Sequence, residues 1–155
     1  MDTTMDYLTD VLIHQKEVAM WIEKVCGKLR ERACIHDITK LRDPEFSTFV
    51  STRERFKKVN YGTKEYEALT EEAKEAVDHH YKYNRHHTAY HENGINDMTL
   101  IDLIEMVCDW LSAQNRSPDR TIWDTLDYAK NKYKIEDQLF SIIKNTLKEL
   151  ERDSG

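Results

Sequence analysis

From Leu8 to Leu29 the apolar residues recur three and four apart: Leu8, Val11, Leu12, Val18, Ala19, Ile22, Val25, Cys26 and Leu29. No proline interrupts the run. That period places the residues on one face of an α-helix, so the spacing predicts a long first helix from about Asp6 to Arg32, with His14 beside the apolar face. Only four glycines and two prolines occur in 155 residues, whereas Glu, Lys, Leu, Ile and Asp are plentiful. A chain with so few turn-forming residues favours long helices over a turn-rich β architecture. The expected fold is all-α, about six to seven helices around one core, and the length suits one domain rather than two.

A short second helix is expected over Ile35–Lys40, which would put His36 and Asp37 near a helix end. It should stop near Leu41, because Pro44 disfavours helical backbone just before it. Asp43 as N-cap and Pro44 at the first helical position predict a third helix, with Phe46, Phe49, Val50 and Phe56 facing inward. A turn follows around Asn60-Tyr61-Gly62. The next helix starts at Tyr66 or Thr70 and reaches about Tyr83, with Thr70, followed by Glu71, Glu72 and Ala73, reading as a good cap. Asn84 to Asp97 is polar, aromatic and irregular, with a turn at Asn93-Gly94. Thr99 caps an apolar helix, Leu100 to Ala113, whose apolar residues lie nearly all round it and suggest a central position. Ser117-Pro118-Asp119-Arg120 breaks the chain, Thr121 to about Tyr133 is helical, and Ile135 to Glu151 is a terminal amphipathic helix. That last helix is open to homo-oligomer formation, although packing on its own domain is the simpler expectation.

The formal charge of −6 argues against a general nucleic-acid-binding surface, because phosphate neutralisation needs clustered Lys and Arg. Cys26, Cys34 and Cys108 lack CxxC spacing, so a disulfide framework is not expected and the thiols read as core residues of a protein from a reducing compartment. Nothing resembles a basic region followed by an apolar run at the N-terminus, and no stretch approaches the roughly 20 apolar residues of a membrane span. The expectation is a soluble, cytoplasmic protein.

Polar residues carry the functional signal. Five of the seven histidines, His79, His80, His86, His87 and His91, fall within thirteen residues. Their bland reading is a hydrophilic loop of imidazoles that are solvated or hydrogen-bonded to backbone; their functional reading is cation binding. Asp109 lies inside the most apolar helix, where burying a carboxylate unpaired would cost several kcal/mol, so it needs a cation or a basic side chain as partner. Glu105, one turn earlier on the same face, reads either as a group that orients a water or a ligating histidine or as a surface residue. The adjacent His36-Asp37 pair supplies imidazole nitrogen and carboxylate oxygen together, as a borderline divalent cation prefers.

In the order His14, His36-Asp37, Asp109, the chain resembles the HD-domain superfamily of metal-dependent phosphohydrolases. The segment His36-Asp37-Ile38-Thr39-Lys40 is similar to the His-Asp-Ile-Gly-Lys of the HD-GYP phosphodiesterases, with Thr39 in place of the glycine and no Gly-Tyr-Pro signature elsewhere. A closer resemblance is to a small bacterial and phage family of domains of unknown function. Its marks are an Arg before His-Asp-x-(Ser/Thr)-Lys, then Glu-Phe, His-His-x-x-x-Asn-x-His-His and Glu-Met-x-x-Asp-Trp. This chain carries them at Arg32, His36 to Lys40, Glu45-Phe46, His79-His80, Asn84, His86-His87 and Glu105 to Trp110.

The HD resemblance implies a compact HD-like helical domain and a divalent metal held by His14, His36, Asp37 and Asp109, with His79 or His80 completing that site or holding a second ion. Ligand type leaves Mn, Fe, Co, Ni, Zn and Mg open. The implied reaction is hydrolysis of a nucleotide or another small phosphate ester. Asp37 would help orient the water, and Lys40, Asn84 and Arg85 would contact substrate. Lys40, His86 and His87 would serve catalysis, with one of the histidines protonating the leaving oxygen. Tyr81, Tyr83 and Tyr90 read either as packing groups or as a base-stacking surface. The competing class is a non-catalytic helical binding protein that keeps the metal as a structural clamp.

Overall fold

The computed structural model describes residues 3–60, 62–114 and 121–152. Among these residues it is all-α: seven α-helices and three 3₁₀ turns, with no strand. The chain divides into two compact units, residues 1–36 and 37–155.

The first unit is one helix, α1, Thr3–Ile35, 33 residues long, or about 50 Å at the α-helical rise. The helix is longer than the periodicity predicted at both ends. Its ion pairs, Lys28–Glu31 and Arg30–Glu23, both at 2.7 Å, lie on the surface. Leu8, Leu12, Val18, Ile22 and Val25 on its apolar stripe are exposed, and so is Trp21.

In the second unit, the expected helix over residues 35–40 is instead a junction. Asp37 adopts left-handed backbone, φ 55°, and a 3₁₀ turn follows over Ile38–Leu41. Helix α2 spans Glu45–Phe56. Asp43 accepts from the Ser47 amide at 3.0 Å, satisfying one of the first-turn donors. Phe46 and Val50, expected inside, are 50% and 60% exposed. The buried residues of α2 are Glu45 and Thr52, so this helix turns a polar face inward.

The single helix expected before Tyr83 is two, α3 over Lys64–Glu72 and α4 over Lys74–Tyr83, broken at Ala73. Thr63 caps α3 by accepting from the Tyr66 amide at 3.2 Å. Thr70, the expected cap, lies inside the helix and donates to the Tyr66 carbonyl at 2.8 Å. Two 3₁₀ turns, Thr88–Tyr90 and Gly94–Asp97, follow through the predicted irregular stretch.

Helices α5, α6 and α7 span Leu100–Gln114, Ile122–Tyr133 and Asp137–Arg152. The predicted break at residues 117–120 lies outside the described residues. Val107, Ile122, Leu126, Ile143 and Leu147 form the apolar core, packed by Trp110, Trp123, Leu139 and Phe140. On α5, Met106 and Val107 are buried while Leu100 is 73% exposed, so this helix is not buried all round. The three cysteines are free thiols; Cys34 and Cys108 are exposed and Cys26 half-buried, contrary to the expected core placement. Among the described residues no helix is long and apolar enough to cross a membrane.

A buried histidine and carboxylate cluster

Three segments of the second unit converge through polar side chains: the turn carrying Asp37, the end of α4 with the loop after it, and α5. Asp37, His80, His86 and His87 each present one ligand atom, and those four atoms lie within 4.8 Å of one another. His80 and His86 are buried, at 5% and 1% exposure, which removes the bland reading of solvated loop imidazoles for these two. Asp37 Oδ1 faces His80 Nε2 at 3.3 Å and His86 Nε2 at 3.5 Å. His87 Nε2 and His80 Nε2 are 2.8 Å apart. Asp109 brings a carboxylate oxygen within 4.8 Å of one on Asp37.

Carboxylates on the far side of the rings decide which nitrogens carry protons. Glu45 Oε2 lies 2.8 Å from His80 Nδ1, and Glu105 Oε1 lies 3.3 Å from His86 Nδ1. Where such a carboxylate accepts from Nδ1, that nitrogen carries the proton and Nε2 is left with a lone pair on the cluster side; His80 Nδ1 also has the Asn84 amide nitrogen 3.1 Å away, whose hydrogens go to Thr39 Oγ1 and the His80 carbonyl. Lys40 donates to the other Asp37 oxygen at 2.5 Å, with its side chain 43% exposed.

The environment favours neutral imidazoles. Burial lowers the His80 pKa, helped by the Lys40 charge, against the opposite pull of Asp37 and Glu45. His87 is pushed down to about 2 by burial, by His86 and by His80. Neutral imidazole is the form that ligates metals. Asp37 adds a further sign: a non-glycine residue at φ 55° is held against a backbone preference of roughly 1–2 kcal/mol, as occurs where a site demands a particular orientation.

Other predicted site residues are placed differently. His79 stands apart from the four-residue group; its Nδ1 donates to Glu45 Oε1 at 2.7 Å. Asn84, expected at substrate, is buried, and its amide donates to Thr39 Oγ1 at 2.8 Å and to the His80 carbonyl at 2.7 Å. That ties the end of α4 to the turn after Asp37. Arg85, also expected at substrate, is held by Asp102 through Nε and Nη2, both at 3.1 Å. His91 Nε2 donates to the Arg85 carbonyl at 2.9 Å. His14, exposed on α1, and His36 belong to the first unit.

Glu45 and Asp102 were missed as polar anchors in the sequence. Glu45 carried a signal in following Pro44 at a helix start, but first-turn acids are common for dipole reasons alone.

The fold is all-α, and it gathers imidazole and carboxylate donors that could hold a metal ion. Residues 3–149 match the family model described as a family of unknown function, DUF5662, and the chain belongs to that family. No curated protein and no solved structure matches the chain.

Proposed function

We propose that the chain binds a divalent first-row cation through Asp37, His80, His86 and His87, and that the site hydrolyses a phosphate ester of the nucleotide class. The observation that carries the reading is the convergence of those four donor atoms within 4.8 Å. The donor set fits a borderline cation: neutral nitrogens, one carboxylate and no thiolate. The HD resemblance adds Asp109, His14 and His36 as further ligands to be tested and supplies the reaction class by analogy.

A bound cation of this kind lowers the pKa of a water and polarises a phosphoryl oxygen. Lys40 remains on the substrate side of this reading, since its ammonium sits on Asp37 yet reaches solvent and offsets phosphate charge. Asn84 ties α4 to the turn after Asp37, while Arg85, 42% exposed, has N–H donors beyond the two on Asp102 with which to contact substrate. His86 and His87 move from proton transfer to ligation, because an imidazole nitrogen whose lone pair goes to a metal has no proton there to give.

A structural clamp is the second reading. Four protein donors suffice to close a tetrahedral shell, the arrangement of structural sites. Elemental analysis of tag-free protein decides the first step, with near-stoichiometric metal expected in the wild type and loss in Asp37→Asn and His86→Ala. Asn tolerates the left-handed backbone of Asp37, so that variant removes charge without a backbone penalty. Metal-dependent release of phosphate from nucleotides or other phosphate esters, abolished by chelator while the fold persists, supports the hydrolase. Chelation that unfolds the protein, with no turnover by the metal-loaded form, replaces it with the clamp. No metal after reconstitution refutes both.

A further inference from the structure

Glu45 is 0% exposed and sits in the first turn of α2, where the helix dipole favours an anion. Its two oxygens divide between neighbouring histidines of α4: Oε1 accepts from His79 Nδ1 at 2.7 Å and Oε2 from His80 Nδ1 at 2.8 Å. Side chains at adjacent helix positions diverge by about 100°, so the carboxylate lies between the two rings. With both oxygens engaged, it is not free to rotate. His79 is packed on its other side by Tyr83, with ring centroids 4.6 Å apart.

We propose that Glu45 is a positioning residue for the cluster: it fixes His80 as the Nδ1–H tautomer, and His79 anchors Glu45 instead of ligating the cation. This extends the metal reading, but its tautomer assignment holds without any metal. The consequence lies at His80 Nε2, which then offers its lone pair on the cluster side: in the metal-free protein it accepts from His87 Nε2, 2.8 Å away, and Asp37 Oδ1 stands 3.3 Å from it. The alternative tautomer would present a proton there, which would have to move to Nδ1 before Nε2 could ligate. Carboxylate partners of this sort are worth 10–100-fold in metal affinity.

A carboxamide distinguishes this role from mere filling of space. Glu45→Gln keeps the volume but offers one acceptor and one NH₂ donor, so it satisfies only one of the two Nδ1–H groups. The test begins with two-bond ¹H–¹⁵N spectra of the metal-free protein above pH 7. In the wild type His79 and His80 should both show protonated Nδ1 and bare Nε2; in Glu45→Gln at least one should switch to Nε2–H.

Zn²⁺ titration follows. The expected affinity loss is 10–100-fold in Glu45→Gln, under tenfold in His79→Ala, and complete in His80→Ala. Glu45→Asp, a shorter carboxylate, should recover part of the loss. Wild-type His80 in the Nε2–H form overturns the proposal even if Glu45→Gln does not fold, and so does a His79→Ala loss as large as that of His80→Ala. If the tautomers are as stated but the wild type binds no Zn²⁺, the metal reading fails and the role of Glu45 in fixing the ring stands.

Discussion

Replacing Asp102 with Ala should destabilise the protein by about 3 kcal/mol, from two separable losses. The carboxylate, 0% exposed, accepts from Thr99 N at 3.0 Å and Thr99 Oγ1 at 2.7 Å, while the Asp102 amide donates to Thr99 Oγ1 at 3.2 Å. That reciprocal cap of α5 is worth about 1 kcal/mol. The same carboxylate receives Arg85 Nε and Nη2 at 3.1 Å. Breaking a fully buried ion pair costs about 3–5 kcal/mol, but the Arg85 side chain is 42% exposed and can return to water. The pair is therefore assigned about 2 kcal/mol, the range of hydrogen bonds to charged groups.

Urea unfolding at pH 7 with chelator present measures the total, and for a chain of this size the melting temperature should fall by roughly 6–12 °C. A double-mutant cycle with Arg85→Ala should return a coupling of about 1–2 kcal/mol. The pH dependence has a definite sign. Burial alone would raise the Asp102 pKa, but Arg85 and the Thr99 bonds outweigh it and hold the carboxyl well below the usual range. A pKa lowered by folding gives stability that is complete above the unfolded value of about 3.9 and is lost on acidification below it. The gap between wild type and variant should thus be flat near neutrality and narrow below about pH 4. A loss under about 1 kcal/mol at pH 7 would refute the reasoning, since the cap alone should supply that much.

Two backbone predictions concern the scaffold. Gly62 adopts φ +83°, and a Cβ there would lie 2.9 Å from Tyr128 Cε2; Gly62→Ala should cost about 2 kcal/mol from left-handed strain and displacement of the ring, read as a shift in urea midpoint. Lys134 ends α6 with φ 53°. Lys134→Gly should therefore stabilise by about 0.5–1 kcal/mol, visible as a rise in melting temperature.

Helix type and much of the helix placement were legible in the sequence because they depend on local chemistry. Apolar spacing marked α1, α5 and α7, and Thr121 marked the start of α6, where its side chain and Asp124 form a reciprocal cap. The histidine segment and Asp37 were also legible as a polar concentration that an ordinary core does not require. What local patterning could not supply was direction. Phe46 and Val50 look like core residues, yet α2 buries Glu45, because a carboxylate becomes tolerable inside once two imidazole N–H groups meet it. Local patterning also gave no sign that two of the Arg85 donors meet Asp102, or that the Asn84 amide meets Thr39 and a backbone carbonyl.

Sequence by itself determined that this chain is helical and that it carries imidazoles and carboxylates suited to a borderline cation. Tertiary structure decided which of them meet: Asp37, His80, His86 and His87, with Glu45 and Glu105 behind two of the rings. The physical reason is range. Helix propensity and periodicity act over a few residues, whereas the protonation and aim of an imidazole are set by whatever lies within about 3 Å of each nitrogen. For His80 that neighbour is Glu45, 35 residues away along the chain.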